Sequence, residues 1–200
     1  MAGSRTFLVG AAVGSGIVAR AAEEGGADFL IALSAGRLRN MGAASIACML
    51  PITGANDLTW DFACTEVLPQ SKLPVYLGLC SWGTSQPDDA IAEKVMATGF
   101  KGVANFPTSI HYSKGMSQVL DAAGYGLRRE IALLKAVKDA GGSTLFYCGT
   151  RVQAPMIDDL LKDIGIEGAN VSKMGDVFRA AKDAQSLAKS TEPKKEDDDG

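Results

Sequence analysis

FLVGAAVGSGIVARAAEEGGADFLIALSAGRLRNMG, residues 7–42, is the stretch whose reading decides the fold. Residues 7–13 are a continuous apolar run, which fits a strand covered on both faces better than a half-exposed one. Gly14, Ser15 and Gly16 break that run. Residues 17–24 carry helix formers with Ile17, Val18 and Ala21 on one face, and Gly25-Gly26 supplies a stop. Residues 29–33 are a second apolar run, followed by a polar loop with Ser34, Gly36, Arg37, Arg39 and Asn40. Strand, glycine turn, helix and strand make a βαβ unit, the building block of parallel sheets.

Gly10, Gly14 and Gly16 after a strand resemble a dinucleotide fingerprint, in which glycines let backbone approach a pyrophosphate at a helix start. The rest of that pattern is missing. The second strand closes on Ser34 rather than on an acid for the ribose, and none of Tyr76, Tyr112, Tyr125 or Tyr147 has a lysine four residues on. An NAD(P)-dependent reductase is therefore the weakest functional reading.

Working outward, three further apolar runs at 74–80, 101–106 and 143–148 predict strands, and 169–172 is a weak sixth. Between and after them, helices are predicted at 57–67, 88–97, 116–123, 126–140, 155–164 and 175–188. Strict alternation implies a parallel sheet of about six βα units. Eight would be needed for a closed barrel, so the expected fold is a TIM-barrel-like α/β domain, incomplete, with an open doubly wound sheet as the alternative. That domain spans residues 1–189, and the charged stretch 190–200 reads as a disordered tail.

Composition narrows the function. Twenty basic residues face 23 acidic ones, and the net charge of −3 sits in the tail, where five carboxylates outweigh Lys194 and Lys195. A neutral body without a basic stripe argues against nucleic acid and against an anionic membrane surface. No apolar run is long enough for a membrane span, and Cys48, Cys64, Cys80 and Cys148 form no C-x2-C pair. The expected setting is cytoplasmic and reducing. An incomplete parallel sheet leaves an exposed edge, so a homo-oligomer is expected.

In parallel α/β folds, chemistry sits in the loops after strands. That filter selects Ser15 with its flanking glycines, Ser34, Arg37 and Arg39, then Cys80 and Ser81, then Asn105, Thr108 and His111, then Cys148, Thr150 and Arg151. Arg37 is the best anion ligand, since its planar fork holds carboxylate or phosphate in two places. Ser15, Ser34, Arg39, Asn105 and Thr108 complete the candidate substrate ligands. Cys80 would serve as a nucleophile only beside a base, for which His111 is the one histidine available. Glu130 sits near a helix start, where the helix dipole favours a carboxylate for structural reasons alone.

The segments GAAVGSGIVARAAEEGGADFLIALSAGRLRNMGAASIACMLP, EVLPQSKLPVYLGLC, GFKGVANFPT and GYGLRREIALLKAVKDAG, in that order, resemble the phosphoenolpyruvate hydrolase-like family. That group also resembles the C-terminal domain of a plant virus-resistance protein. The resemblance implies a TIM barrel and a hydrolase or, in older wording, a dioxygenase. It raises Glu130 to a general base or metal ligand. Two departures stand against it. From Gly149 onward the family's acidic, glycine-rich segment and later βα units are not recognisable, and Arg128 stands where the family often has a glutamate.

The expected function is thus a hydrolase or lyase for a small oxo-acid or phosphorylated acid, with Arg37 and Asn105 on the anion and Glu130 or His111 handling protons. The rival is a non-catalytic sensor or interaction module on the same scaffold. No cofactor is evident from the residues. The one metal arrangement they leave open is a divalent cation such as magnesium shared between Glu130 and substrate.

Overall fold

The computed structural model describes residues 8–50 and 54–147, all within a unit running Met1–Gly149. The predicted strands at 169–172 and helices at 155–164 and 175–188, with Cys148, Thr150, Arg151 and the tail, lie outside the described residues.

Five strands form the described sheet: β1 (Gly10–Val13), β2 (Phe29–Ala32), β3 (Val75–Leu79), β4 (Gly102–Asn105) and β5 (Ser143–Leu145). All neighbours are parallel and the order is β1-β2-β3-β4-β5. A doubly wound sheet reverses direction at a switch point, whereas this one advances steadily, as a barrel wall does. The fold is TIM-barrel-like, and the open alternative falls on strand order.

Residue alternation agrees. Val13, Leu30, Ala32, Val75, Leu77, Leu79 and Val103 join Ala19, Phe62, Val67, Ile91, Val95, Leu133 and Val137 in one core. These last come from α1 (Gly16–Glu24), α3 (Ala55–Phe62), the π turn Ala63–Val67, α5 (Asp88–Thr98) and α7 (Leu127–Asp139), so the helices pack on one side of the sheet. The other face carries Ala12, Phe29, Ile31 and Tyr76, with the Phe29 and Tyr76 rings edge to face at 5.6 Å. Ala12 is exposed there, while Phe29, Ile31 and Tyr76 are half-buried. The first strand therefore does not match its expected cover on both faces. It pairs only with β2 among the described strands.

Two local readings also change. The polar stretch after β2 is a helix, α2 (Ser34–Asn40), because its Leu38 and Ala35 can reach a small apolar cluster with Ala47 and Cys48. The helix expected to stop at Pro69 runs on as α4 (Leu68–Gln70). Proline inside an α-helix clashes with the carbonyl four residues back, and the wider π turn just before it relieves that clash. As expected, α5 ends at Gly99, whose φ of 98° lies in the left-handed region. A nine-residue helix, α6 (Lys114–Ala122), precedes α7.

Candidate functional site

The C-terminal ends of β1 and β2 are locked together through glycine. A Cβ at Gly14 would stand 2.1 Å from the Gly36 carbonyl carbon, and one at Gly36 would stand 2.9 Å from the Val13 oxygen. The close backbone approach that Gly14 permits is thus to α2 of the same chain.

An anion does sit at the start of α1, and it is a side chain. Glu66 accepts the Gly16 N–H through Oε2 at 3.2 Å, and its Oε1 lies 2.9 Å from Arg37 Nη2. The Arg37 guanidinium also stacks over the Phe62 ring at 5.8 Å. Arg37 and the glycine turn therefore meet around an internal carboxylate. Ser15 is buried at the N-cap position of α1 but its side chain makes no cap bond. The signal for Glu66 lay in a helix read only for its apolar spacing.

Glu130 is the most heavily bonded side chain of the described site. It is 1% exposed at the start of α7. Oε2 accepts from Asn105 Nδ2 at 2.7 Å and Thr108 Oγ1 at 2.7 Å; Oε1 accepts from the Ser109 N–H at 2.7 Å and Ser109 Oγ at 2.6 Å. Four donors saturate the two oxygens. Asn105, in turn, accepts the Tyr147 N–H through Oδ1. Asn105 follows Val103 on the helix side of β4, so this network ties strand to helix and shapes the loop after β4. Glu130, Asn105 and Thr108 do come together, but facing one another.

That loop delivers His111, in a 3-10 turn Ser109–His111, to an exposed position near the Phe106 and Tyr147 rings, at 6.1 and 6.5 Å between centroids. Cys80 is buried at the end of β3, where Asn56 accepts its N–H at 2.7 Å and donates to its carbonyl at 2.9 Å. Burial pushes the Cys80 thiol up to about 12, so it stays protonated at neutral pH. Among the described residues no hydrogen bond joins it to His111.

A cleft of about 250 Å³ opens just past the C-terminal end of β3, lined by Cys48, Met49, Asn56, Asp57, Cys80 and Trp82. Two hydroxyls beside it are buried: Ser81, next to Cys80, has no partner, and Ser34, after Leu33 at the end of β2, has only the weakly bonding Cys48 thiol near it. The Cys48 thiol is also pushed up by burial, with Arg39 and Ser34 pulling the other way. Arg39 itself donates to Ser45 Oγ at 2.9 Å. Its charge favours the Cys48 thiolate, whereas Arg37 is paired with Glu66.

Among the described residues no three histidine, cysteine or acidic side chains gather as a metal site. With both Glu130 oxygens occupied by four donors, Glu130 does not fit a magnesium ion shared with substrate. Among the described helices none is long and apolar enough to cross a membrane.

Comparison with known proteins places this arrangement. The y4pA protein of Sinorhizobium fredii, which carries a transcriptional-regulator name, is 42% identical over 149 residues, 74% of this chain and 24% of that protein. The ToMV resistance protein Tm-1(GCR237) of Solanum lycopersicum is 31% identical over 184 residues, 92% of this chain and again 24% of its relative. The chain thus spans about a quarter of the length of these relatives. Among solved structures, a 2,3-dimethylmalate lyase is similar with a TM-score of 0.46 at 17% identity, covering 92% of this chain and 80% of that one. A phosphonopyruvate hydrolase in complex with oxalate and Mg++ gives 0.43 at 11%, covering 81% and 64%. The phosphoenolpyruvate hydrolase-like family model matches residues 1–196, and with it the chain belongs to the phosphoenolpyruvate hydrolase-like family.

Proposed function

We propose that this chain is a hydrolase or lyase acting on a small oxo-acid or phosphorylated acid, bound in the cleft past the end of β3. The observation that carries the reading is the pair of buried hydroxyls at the ends of adjacent strands, Ser81 without a partner and Ser34 with only the weakly bonding Cys48 thiol beside it. Burying a hydroxyl unpaired costs about 1–3 kcal/mol, a cost that ligand oxygens accepting from both would remove. Arg39 supplies the cation for the acid, in place of the Arg37 favoured by sequence. His111, exposed on the β4 loop, handles the proton, and Glu130 with Asn105 and Thr108 positions that loop. Cys80 acts as a neutral wall, since a protonated thiol is a poor nucleophile. Free thiols at Cys48, Cys64 and Cys80 suit a reducing, cytoplasmic setting.

The test uses oxalate and phosphoenolpyruvate as probes, each with and without magnesium, in thermal-shift and calorimetric titrations. Wild type should bind at least one, S34A/S81A should lose about tenfold or more, and R39M should lose binding without losing stability. Equal binding by wild type and both variants would remove the site.

One observation favours a second reading, a non-catalytic sensor. The internal pairing of Arg37 and the saturation of Glu130 leave the described site without a close nucleophile and base pair. Probe binding with no turnover at any pH from 5 to 9 would select it.

A further inference from the structure

Helix α1 turns an apolar face outward. Its buried residues are Gly16 and Ala19, while Ile17 is 70% and Val18 39% exposed, and Ala21 is exposed beside them. The chain just before β1 adds Leu8 and Val9, 76% and 43% exposed, beside a strand that has a free edge among the described strands. Ile17, Ala21 and Glu24 stand along one line of the helix, with Arg20 flanking it. Glu23 points elsewhere, accepting the Lys72 N–H at 3.0 Å.

We infer that this face is an interface between two copies of the chain, related by a two-fold axis near Ala21 with the two α1 helices antiparallel. A two-fold contact must be self-complementary. Antiparallel packing meets that requirement. It sets Arg20 of each copy beside Glu24 of the other, lays Ile17 over the small Ala21–Gly25 end of the partner helix, and lets the alanines approach closely. Parallel packing would stack Arg20 on its own copy and is disfavoured by like charge. The same arrangement withdraws Leu8 and Val9 from water at the margin, protecting the strand edge.

Sedimentation equilibrium on the full chain, from about 1 to 100 µM, tests it. Wild type should weigh as a dimer, and I17E, an exposed position that leaves the fold alone, should dissociate at least tenfold more readily. R20E and E24R should each weaken the dimer, and the double swap R20E/E24R should restore it. Recovery in the swap separates a cross-interface pair from a local structural role. An A21C variant should link to a second chain under mild oxidation. A monomeric wild type across the range, a dimer indifferent to I17E, a double swap no tighter than its singles, or links from position 21 confined to one chain would each overturn the inference.

Discussion

Arg37 Nη2 stands 2.9 Å from Glu66 Oε1, and the other oxygen of that carboxylate receives the Gly16 N–H. Both partners are about one-third exposed, which limits what the pair contributes. A double-mutant cycle of R37M and E66Q should give a coupling of about 0.5–1 kcal/mol, falling with salt. Urea unfolding at low and high ionic strength measures it. Oxalate binding should be unaffected by either change, whereas R39M should reduce it.

Glu130 should behave as a positioning residue with a high structural cost. E130Q replaces an acceptor by an amide that turns a donor toward donors, and hydrogen bonds to charged groups contribute about 1.5–3 kcal/mol each. A loss of about 3 kcal/mol or more is expected by chemical denaturation, with exchange protection falling first at the Ser109 and Tyr147 amides.

G14A should fail where a dinucleotide turn would tolerate a shift. The added methyl would overlap the Gly36 backbone, which cannot yield as a side-chain tip can. A loss of at least about 2 kcal/mol, or insoluble expression, is expected, with no response to NAD or NADP in wild type by thermal shift.

Cys80 sets a limit at high pH. Its folded value is raised from 9.0 to about 12, so the unfolded chain releases this proton first and stability falls as pH rises above about 9. The slope from this group approaches about 1.4 kcal/mol per pH unit up to about pH 12. Unfolding curves between pH 7.5 and 10.5 should show a steeper loss for wild type than for C80A.

Much of the fold was readable because parallel strands buried against helices announce themselves as apolar runs between glycines, as 74–80 and 101–106 do. Barrel against open sheet was not readable, since strand order leaves no mark on periodicity. α2 was missed because seven residues with four polar side chains look like a loop until Ala47 and Cys48 supply the surface for Leu38. The site divided along the same line. Position in a loop after a strand picked out Asn105 and Thr108, and the family resemblance picked out Glu130, but whether a polar group faces a ligand or another polar group depends on which side of the sheet it leaves from. Glu66 and the unpartnered Ser81 could be assigned only once the strands were in register.

The strand order has a consequence for how the chain assembles. Every ladder among the described strands joins sequence neighbours one βα unit apart, so this sheet grows like a row of repeats, in which each added unit contacts chiefly the one before it. Such contacts close short loops and can form in order as the chain leaves the ribosome. In a doubly wound sheet the first strand becomes central only after later ones flank it. Here β1 and β2 are complete partners as soon as residue 32 has emerged, which makes βα boundaries the natural places at which this architecture can be lengthened or shortened without disturbing what came earlier.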